Sequence, residues 1–514
     1  MASSADNSQF NSYKLSWGAI AGIALFSVLY FADIFLKASR KCFWLDELFT
    51  IYLCRLPSFQ ATWTAVRHGA DFNPPMLYLL TRGSQWLFGE GLIATRLPEM
   101  IGFWVFSVCL FLFVSRSAGM VSGFIAGMFP FFTLVQYYAY EARAHALVLG
   151  FCGLTLVCWQ RTGEAREGSK YLWLAGFGVC LAGALLTHVY AVFLILPFAL
   201  VELHNLYRRR PNWGIIATMG SAFIVVVAFV YLPLFRMYRA TVPSGFRSAN
   251  HYLLQRFLEN TFGPTIFILL LSLFLFALGA MRPTEHASLT TRIPKREMLA
   301  AAGLACVPLV GLIGSRISHG PFIERYFLLS VAGYAIALGF ASFHVQREHW
   351  TANVLAGCML LLMIGDLGTT AYLRNRLVLT EPSSGIDLST SPSRPLALYD
   401  TISRDKDGLD ILILPPLHYL YLVSYAPPSI VSHLYFATQA GELFSSGYAK
   451  LASQTQLNLR LSALGPFLAA HDKFLVYDER KFFQTDVIQT IASAGYQIKS
   501  VQTDAVGTMY EFAR

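Results

Sequence analysis

Long apolar stretches alternate with short polar ones over residues 17–372, and the pattern changes beyond Leu373. Gly18–Leu36 is the first apolar run, with the ~20-residue length a helix needs to cross a bilayer. No small-residue cleavage site follows it, so it reads as a retained membrane helix with its N-terminus inside. Further spans are expected near 92–114, 118–136, 142–160, 171–187, 189–206, 213–235, 263–281, 298–314, 325–344 and 351–372. The expected fold is therefore mainly α, a polytopic membrane bundle of about eleven transmembrane helices occupying 1–373. Residues 37–91 form its first outer loop.

After a linker at Glu381–Gly385 the chain turns polar. Short apolar runs at Leu409–Leu414, Ser429–Tyr435, Lys473–Tyr477, Gln497–Val501 and Met509–Phe512 read as strands. Helical patterns lie at Thr455–Ala470 and Phe483–Gly495. Strands alternating with helices predict a small α/β domain over 377–514. Eleven spans before it would leave it extracytoplasmic. It shows no Gly-rich phosphate loop and no acid/base constellation, which suits a structural or acceptor-docking role.

Composition sharpens this reading. The chain is 55% hydrophobic and 13% charged, against roughly 25% charged in soluble domains. Its net charge of +9 sits at segment ends, not in one patch, so it argues for lipid headgroups and against nucleic acid. Arg208-Arg209-Arg210 is the clearest cytoplasmic marker, with Arg116, Arg161–Lys170, Arg282–Arg296 and Arg347 on the same side. The outer segments also carry arginines, among them Arg55, Arg96, Arg143, Arg247, Arg256 and Arg325. Such cations are what an anionic lipid phosphate requires, although each alone also suits snorkelling to headgroups. A disulfide between Cys42 and Cys54 stays open if their segment lies outside the cytosol. The stretch from Arg236 to Phe262 reads as an interfacial helix or flap.

Candidate chemistry gathers at the outer helix ends: Asp46-Glu47, Tyr138–His145, Thr187–Tyr190 and Arg316–Tyr326. Adjacent carboxylates point about 100° apart on a helix, so Asp46 and Glu47 do not form the facing acid/base pair of a glycosidase. One suffices as a base when the leaving group is a phosphate stabilised by cations. Structural alternatives stand beside each residue. Asp46 would cap a helix or pair with Lys41, Glu141 and Arg143 would neutralise each other, His188 would be a satisfied core histidine, and Arg325-Tyr326 an interfacial anchor.

Trp44-Leu45-Asp46-Glu47, Asn73-Pro74-Pro75-Met76-Leu77-Tyr78-Leu79-Leu80, Arg96-Leu97-Pro98, Tyr140-Glu141-Ala142-Arg143, Thr187-His188-Val189-Tyr190 and Glu324-Arg325-Tyr326 run in this order. Together they resemble the bacterial branch of the protein-mannosyltransferase-like family (glycosyltransferase family 39 type). These are C-type membrane glycosyltransferases, whose superfamily includes the lipid A aminoarabinose transferases. The resemblance implies transfer of a sugar from a polyprenyl-phosphate-linked donor, outside the cytoplasm, at a bacterial inner membrane. It implies Asp46 as general base with Glu47 beside it, and Glu141 as a second acidic position. Donor-binding residues would be Arg96, Arg143, His188, Tyr190, Arg325 and Tyr326. Acceptor contacts would come from His68 and Asn73, the latter standing where relatives often have His. No metal or other cofactor is implied. The acceptor class (lipid, polysaccharide or protein) stays open. A transporter or flippase for a lipid-linked sugar and a non-catalytic scaffold are the competing classes; charges gathered at helix ends favour the enzyme over the transporter.

Overall fold

The structure, a computed structural model, describes residues 16–165, 167–241, 251–281, 293–318, 322–345, 350–373, 408–438, 443–455, 457–479, 485–503 and 507–514. The Glu381–Gly385 linker, Arg247, Arg347 and the centre of the expected flap lie outside them.

Each of the eleven expected spans falls on helix. The first is Trp17–Arg40, whose N-cap Ser16 accepts the Ala19 N–H at 3.2 Å and whose last turn carries Lys37 and Arg40. Seven helices among the described residues are long and apolar enough to cross a membrane. They become nine when the bent pairs Leu134–Tyr140 with Ala144–Thr162 and Lys295–Ala305 with Val307–Ile317 each count as one span. The longest, Leu92–Phe132, is two of the expected spans in one. Gly119 breaks it at φ +81°, a conformation that costs glycine little. The two limbs then run back along each other so closely that a Cβ on Gly127 would lie 2.8 Å from the Ser107 carbonyl oxygen. Small residues replace hydrophobic drive where helices meet inside lipid. The chain is an integral membrane protein.

Between the first two spans, residues 41–91 fold as three short helices, Leu45–Cys54, Phe59–Arg67 and Met76–Phe88. The Pro74-Pro75 step starts the third, and Gly89 at φ +85° ends it. Cys42 and Cys54 are both buried and no disulfide joins them, so the one left open is not formed.

The first and last spanning helices are joined by charge that is buried on the first and exposed on the last. Lys37 Nζ lies 2.8 Å from both Asp33 and Asp366, and Gln136 and Thr370 each donate to Asp33 at 3.0 Å. At the far end of the bundle Glu297, fully buried, accepts from Ser117 and from Gln160.

The C-terminal domain is a six-stranded mixed sheet: β1 Ile411–Ile413, β2 Leu434–Thr438, β3 Leu461–Ala463, β4 Lys473–Glu479, β5 Gln497–Thr503 and β6 Gly507–Ala513. Their order is β3-β2-β1-β4-β6-β5, parallel from β3 to β4 and antiparallel beyond. Four of the five expected strands are present where read. The fifth, Ser429–Tyr435, is corrected: Pro428–Val431 is a helical turn and β2 starts at Leu434. The expected helix Thr455–Ala470 is instead β3 followed by a short helix, Leu464–Ala470. Helices Pro416–Tyr425 and Leu443–Gln454 pack this domain onto the helix Leu45–Cys54.

Candidate active site

Leu45–Cys54 carries Asp46 and Glu47 in its first turn, where the helix dipole favours carboxylates. The two diverge at once. Glu47 is fully buried and Asp46 is partly exposed.

Glu47 is the centre of a closed ion cluster. Arg96, itself fully buried, donates through Nε to Glu47 Oε1 at 2.8 Å and through Nη2 to Oε2 at 2.9 Å. Its remaining N–H groups go to the carbonyls of Ala38 (2.8 Å), Lys41 (2.7 Å) and Cys42 (3.0 Å). All five guanidinium donors are thus engaged. Glu47 also accepts the backbone N–H of Trp44 at 3.0 Å and of Ala142 at 2.7 Å, with Lys41 Nζ 3.3 Å away. Burial pushes the Glu47 carboxyl up, but Arg96 and Lys41 outweigh it and hold it at about 2. This corrects two expectations: Arg96 has no N–H left for a phosphate, and Glu47 has its oxygens committed to the fold. Lys41 pairs with Glu47, not with Asp46.

Asp46 faces the other way, its Oδ2 2.9 Å from Arg325 Nη1. Arg325 comes from the 3₁₀ turn Glu324–Phe327, which leads into the helix Ser330–Val345. Burial opposes its charge, but Asp46 first among its neighbours pushes its pKa up. Arg325 borders a narrow cavity of about 20 Å³ lined also by His145, His188, Tyr190, Tyr326 and aliphatic side chains. That space holds about one water molecule, far below the ~300–1,000 Å³ typical of ligand sites. Tyr190 and Tyr326 stack at 4.1 Å, and the His188 ring lies 5.1 Å from Tyr326 and 5.4 Å from His145. His188 sits in the break between two helices, where its Nδ1 accepts the Tyr190 N–H at 3.2 Å. Burial, then Arg143 and Arg325, lower its pKa to about 3. The neutral ring therefore carries its hydrogen on Nε2, a donor at the cavity wall.

A second ion pair braces the Asp46 turn. Arg143 Nη1 lies 2.8 Å from Asp71 Oδ2, 3.0 Å from the Asp46 carbonyl and 3.2 Å from Thr50 Oγ1. Asp71 also accepts from Tyr78 OH at 2.8 Å, from Asn73 and from the Phe72 N–H. Burial alone would raise the Asp71 pKa, but Arg143 leads the groups that hold it below the usual range. Sequence reasoning missed Asp71, although it stands two residues before the Asn-Pro-Pro step it anchors. Arg143 neutralises Asp71 and not Glu141, as had been one alternative.

Glu141 lies in the break before the spanning helix Ala144–Thr162. It is 2% exposed, and among the described residues its carboxyl has no hydrogen-bond or ion-pair partner. Burial pushes it up to about 7; Lys41 opposes this, and Glu47 and Asp46 add to it. Of the two expected acceptor residues, His68 is exposed and donates from Nδ1 to Thr64 O in its own helix, at 2.8 Å. Asn73 is buried with its amide on Asp71. Neither borders the cavity. Among the described residues no three His, Cys, Asp or Glu side chains converge as metal ligands.

Residues 73–233 match the family model described as dolichyl-phosphate-mannose-protein mannosyltransferase. That segment holds Asn73, Arg96, Glu141, Arg143, His188 and Tyr190; Asp46 and Arg325 lie outside it. No curated protein sequence matches the chain. In three dimensions the chain is similar to ArnT from Cupriavidus metallidurans. The apo crystal structure aligns with a TM-score of 0.55 at 12% identity, covering 96% of this chain and 97% of that one. The structure of ArnT bound to undecaprenyl phosphate aligns at 0.54 and 13% identity, covering 96% and 98%. The fold is therefore that of ArnT over nearly the whole chain. The archaeal oligosaccharyltransferase AglB from Archaeoglobus fulgidus, in complex with an inhibitory peptide and a dolichol-phosphate, aligns at 0.44 and 11% identity, covering 90% and 70%.

Proposed function

We propose that this protein is a membrane glycosyltransferase, moving a sugar from a polyprenyl-phosphate carrier to an acceptor hydroxyl on the extracytoplasmic side of a bacterial inner membrane. The observation that carries this reading is the Asp46–Arg325 pair, 2.9 Å apart at the rim of an aromatic cavity. A base beside a cation is the minimum a phosphate-displacing transfer requires. In the step, Asp46 takes the proton of the acceptor O–H and the acceptor oxygen bonds to the anomeric carbon. The bond from that carbon to the phosphate oxygen breaks, and its electron pair leaves with the polyprenyl phosphate. Arg325 meets the phosphate charge, the His188 Nε2–H donates to the donor, and the Tyr190–Tyr326 stack walls the cavity. Arg143 positions the Asp46 turn. Glu47 and Arg96 hold the scaffold under it. Glu141 is an acidic neighbour of the base, and His68 and Asn73 lie on the acceptor approach. The match of residues 73–233 to a mannosyltransferase model and the carrier lipid bound by ArnT support a lipid-phosphate donor.

The test is purified enzyme in proteoliposomes with a radiolabelled polyprenyl-phosphate sugar and an acceptor extract. A new glycosidic product is expected. Movement of the labelled lipid across the bilayer with no new bond would establish a flippase instead.

A further inference from the structure

We propose that the C-terminal domain is a working part of the active site, positioning the Asp46 turn through the Tyr425 hydroxyl. This rests on Asp46 being the base. The peptide unit joining Cys42 to Phe43 is held from two sides. Its carbonyl accepts from Arg96 Nη2 at 3.0 Å, and its N–H donates to Tyr425 OH at 2.8 Å. The Phe43 ring also lies against the same guanidinium, its centre 4.7 Å from Cζ. Arg96 belongs to the membrane bundle, whereas Tyr425 ends the helix Pro416–Tyr425 of the sheet domain. The two domains therefore meet on one peptide three residues before Asp46.

Two more contacts secure the helix that follows. Tyr52 OH and Ser424 Oγ are 2.9 Å apart, and the Phe49 ring stacks on Tyr448 at 5.9 Å, Tyr448 being fully buried. Phe49 and Tyr52 lie three and six residues after Asp46, so the domain holds the helix along its length while Arg96 and Glu47 hold it from below. Among the described residues no side chain of the sheet domain borders the cavity, so its influence on the base runs through this backbone. A base displaced by about 1 Å loses up to a hundredfold in rate.

Tyr425→Phe in the full-length enzyme removes the hydroxyl and leaves the ring against Tyr421, 4.9 Å away. The expected result is a kcat about tenfold lower, within that range, with the donor KM and the melting temperature unchanged. Hydrogen–deuterium exchange is expected to quicken over residues 42–54 and not across β1, β4 and β6. An unchanged kcat per folded enzyme overturns the proposal, as does unchanged exchange over 42–54. Faster exchange throughout the sheet overturns it as well, because Tyr425 would then serve only its own domain. Should wild-type enzyme transfer no sugar, the glycosyltransferase reading fails, and exchange at 42–54 alone decides whether Tyr425 holds this turn.

Discussion

Asp46 and Arg325, 279 positions apart in the chain, meet at 2.9 Å with about a quarter of each side chain exposed (22% and 27%). Exposure matters here because partly solvated pairs contribute roughly 0–1 kcal/mol to stability. Asp46→Asn is therefore expected to leave the melting temperature in detergent within a degree or two of wild type while cutting kcat by about 10²–10⁴-fold. Arg325→Lys keeps charge but loses the planar fork, so the donor KM is expected to rise. Steady-state kinetics on quantified folded enzyme reads both; full activity in Asp46→Asn removes Asp46 as the base.

The adjacent carboxylate is expected to behave oppositely. Glu47 is fully buried between Arg96 and Lys41, so Glu47→Gln strands two buried cations. Breaking such a cluster costs about 3–5 kcal/mol. The variant is expected to lose folded protein, seen as a collapsed monodisperse peak in detergent gel filtration and a lowered melting temperature. A well-folded Glu47→Gln enzyme with only kcat reduced would return Glu47 to the chemistry.

Glu141 gives the pH dependence a definite sign. Its carboxyl is pushed up to about 7, first by burial. The folded chain thus keeps a proton that the unfolded chain has released once pH passes the ordinary glutamate range. Stability from Glu141 is fully present below that range and is lost as pH rises to about 7, with no further change above it. Glu141→Gln stays neutral throughout. The wild-type melting temperature minus that of the variant is expected to fall across this window and then level; a flat difference would show an ordinary carboxyl.

Much of the fold was legible because apolar runs of spanning length leave a chain few options in lipid. What escaped were features set by neighbours distant in sequence. β3 is three residues long, too short for alternation to register, and its pairing with β2 alone makes it a strand. The helix Pro416–Tyr425 was not among the expected elements, although proline suits the first helical position at which it begins. In the site, the divergence of Asp46 and Glu47 was readable from the helical 100° step, and their partners were not. Arg96 looked like a phosphate ligand because sequence shows a guanidinium and hides the three carbonyls that saturate it. Asp71 was passed over because a single carboxylate in a polar loop resembles any surface aspartate until Arg143 and Tyr78 are seen to enclose it.

Asp71 carries the last prediction. It does not border the cavity; it holds Arg143 at 2.8 Å, and Arg143 in turn reaches the Asp46 carbonyl and Thr50. If Asp71 acts only through Arg143, the two residues form one unit and their substitutions are not additive. Asp71→Asn and Arg143→Met are each expected to lower kcat/KM by about tenfold or more, and the double variant to be no worse than the poorer single. A shared tenfold loss corresponds to a coupling of about 1.4 kcal/mol, within the roughly 0.5–3 kcal/mol found for contacting residues. The measurement is a double-mutant cycle on kcat/KM, with thermal melts separating catalytic loss from unfolding. Additive losses would mean that Asp71 touches substrate independently of Arg143.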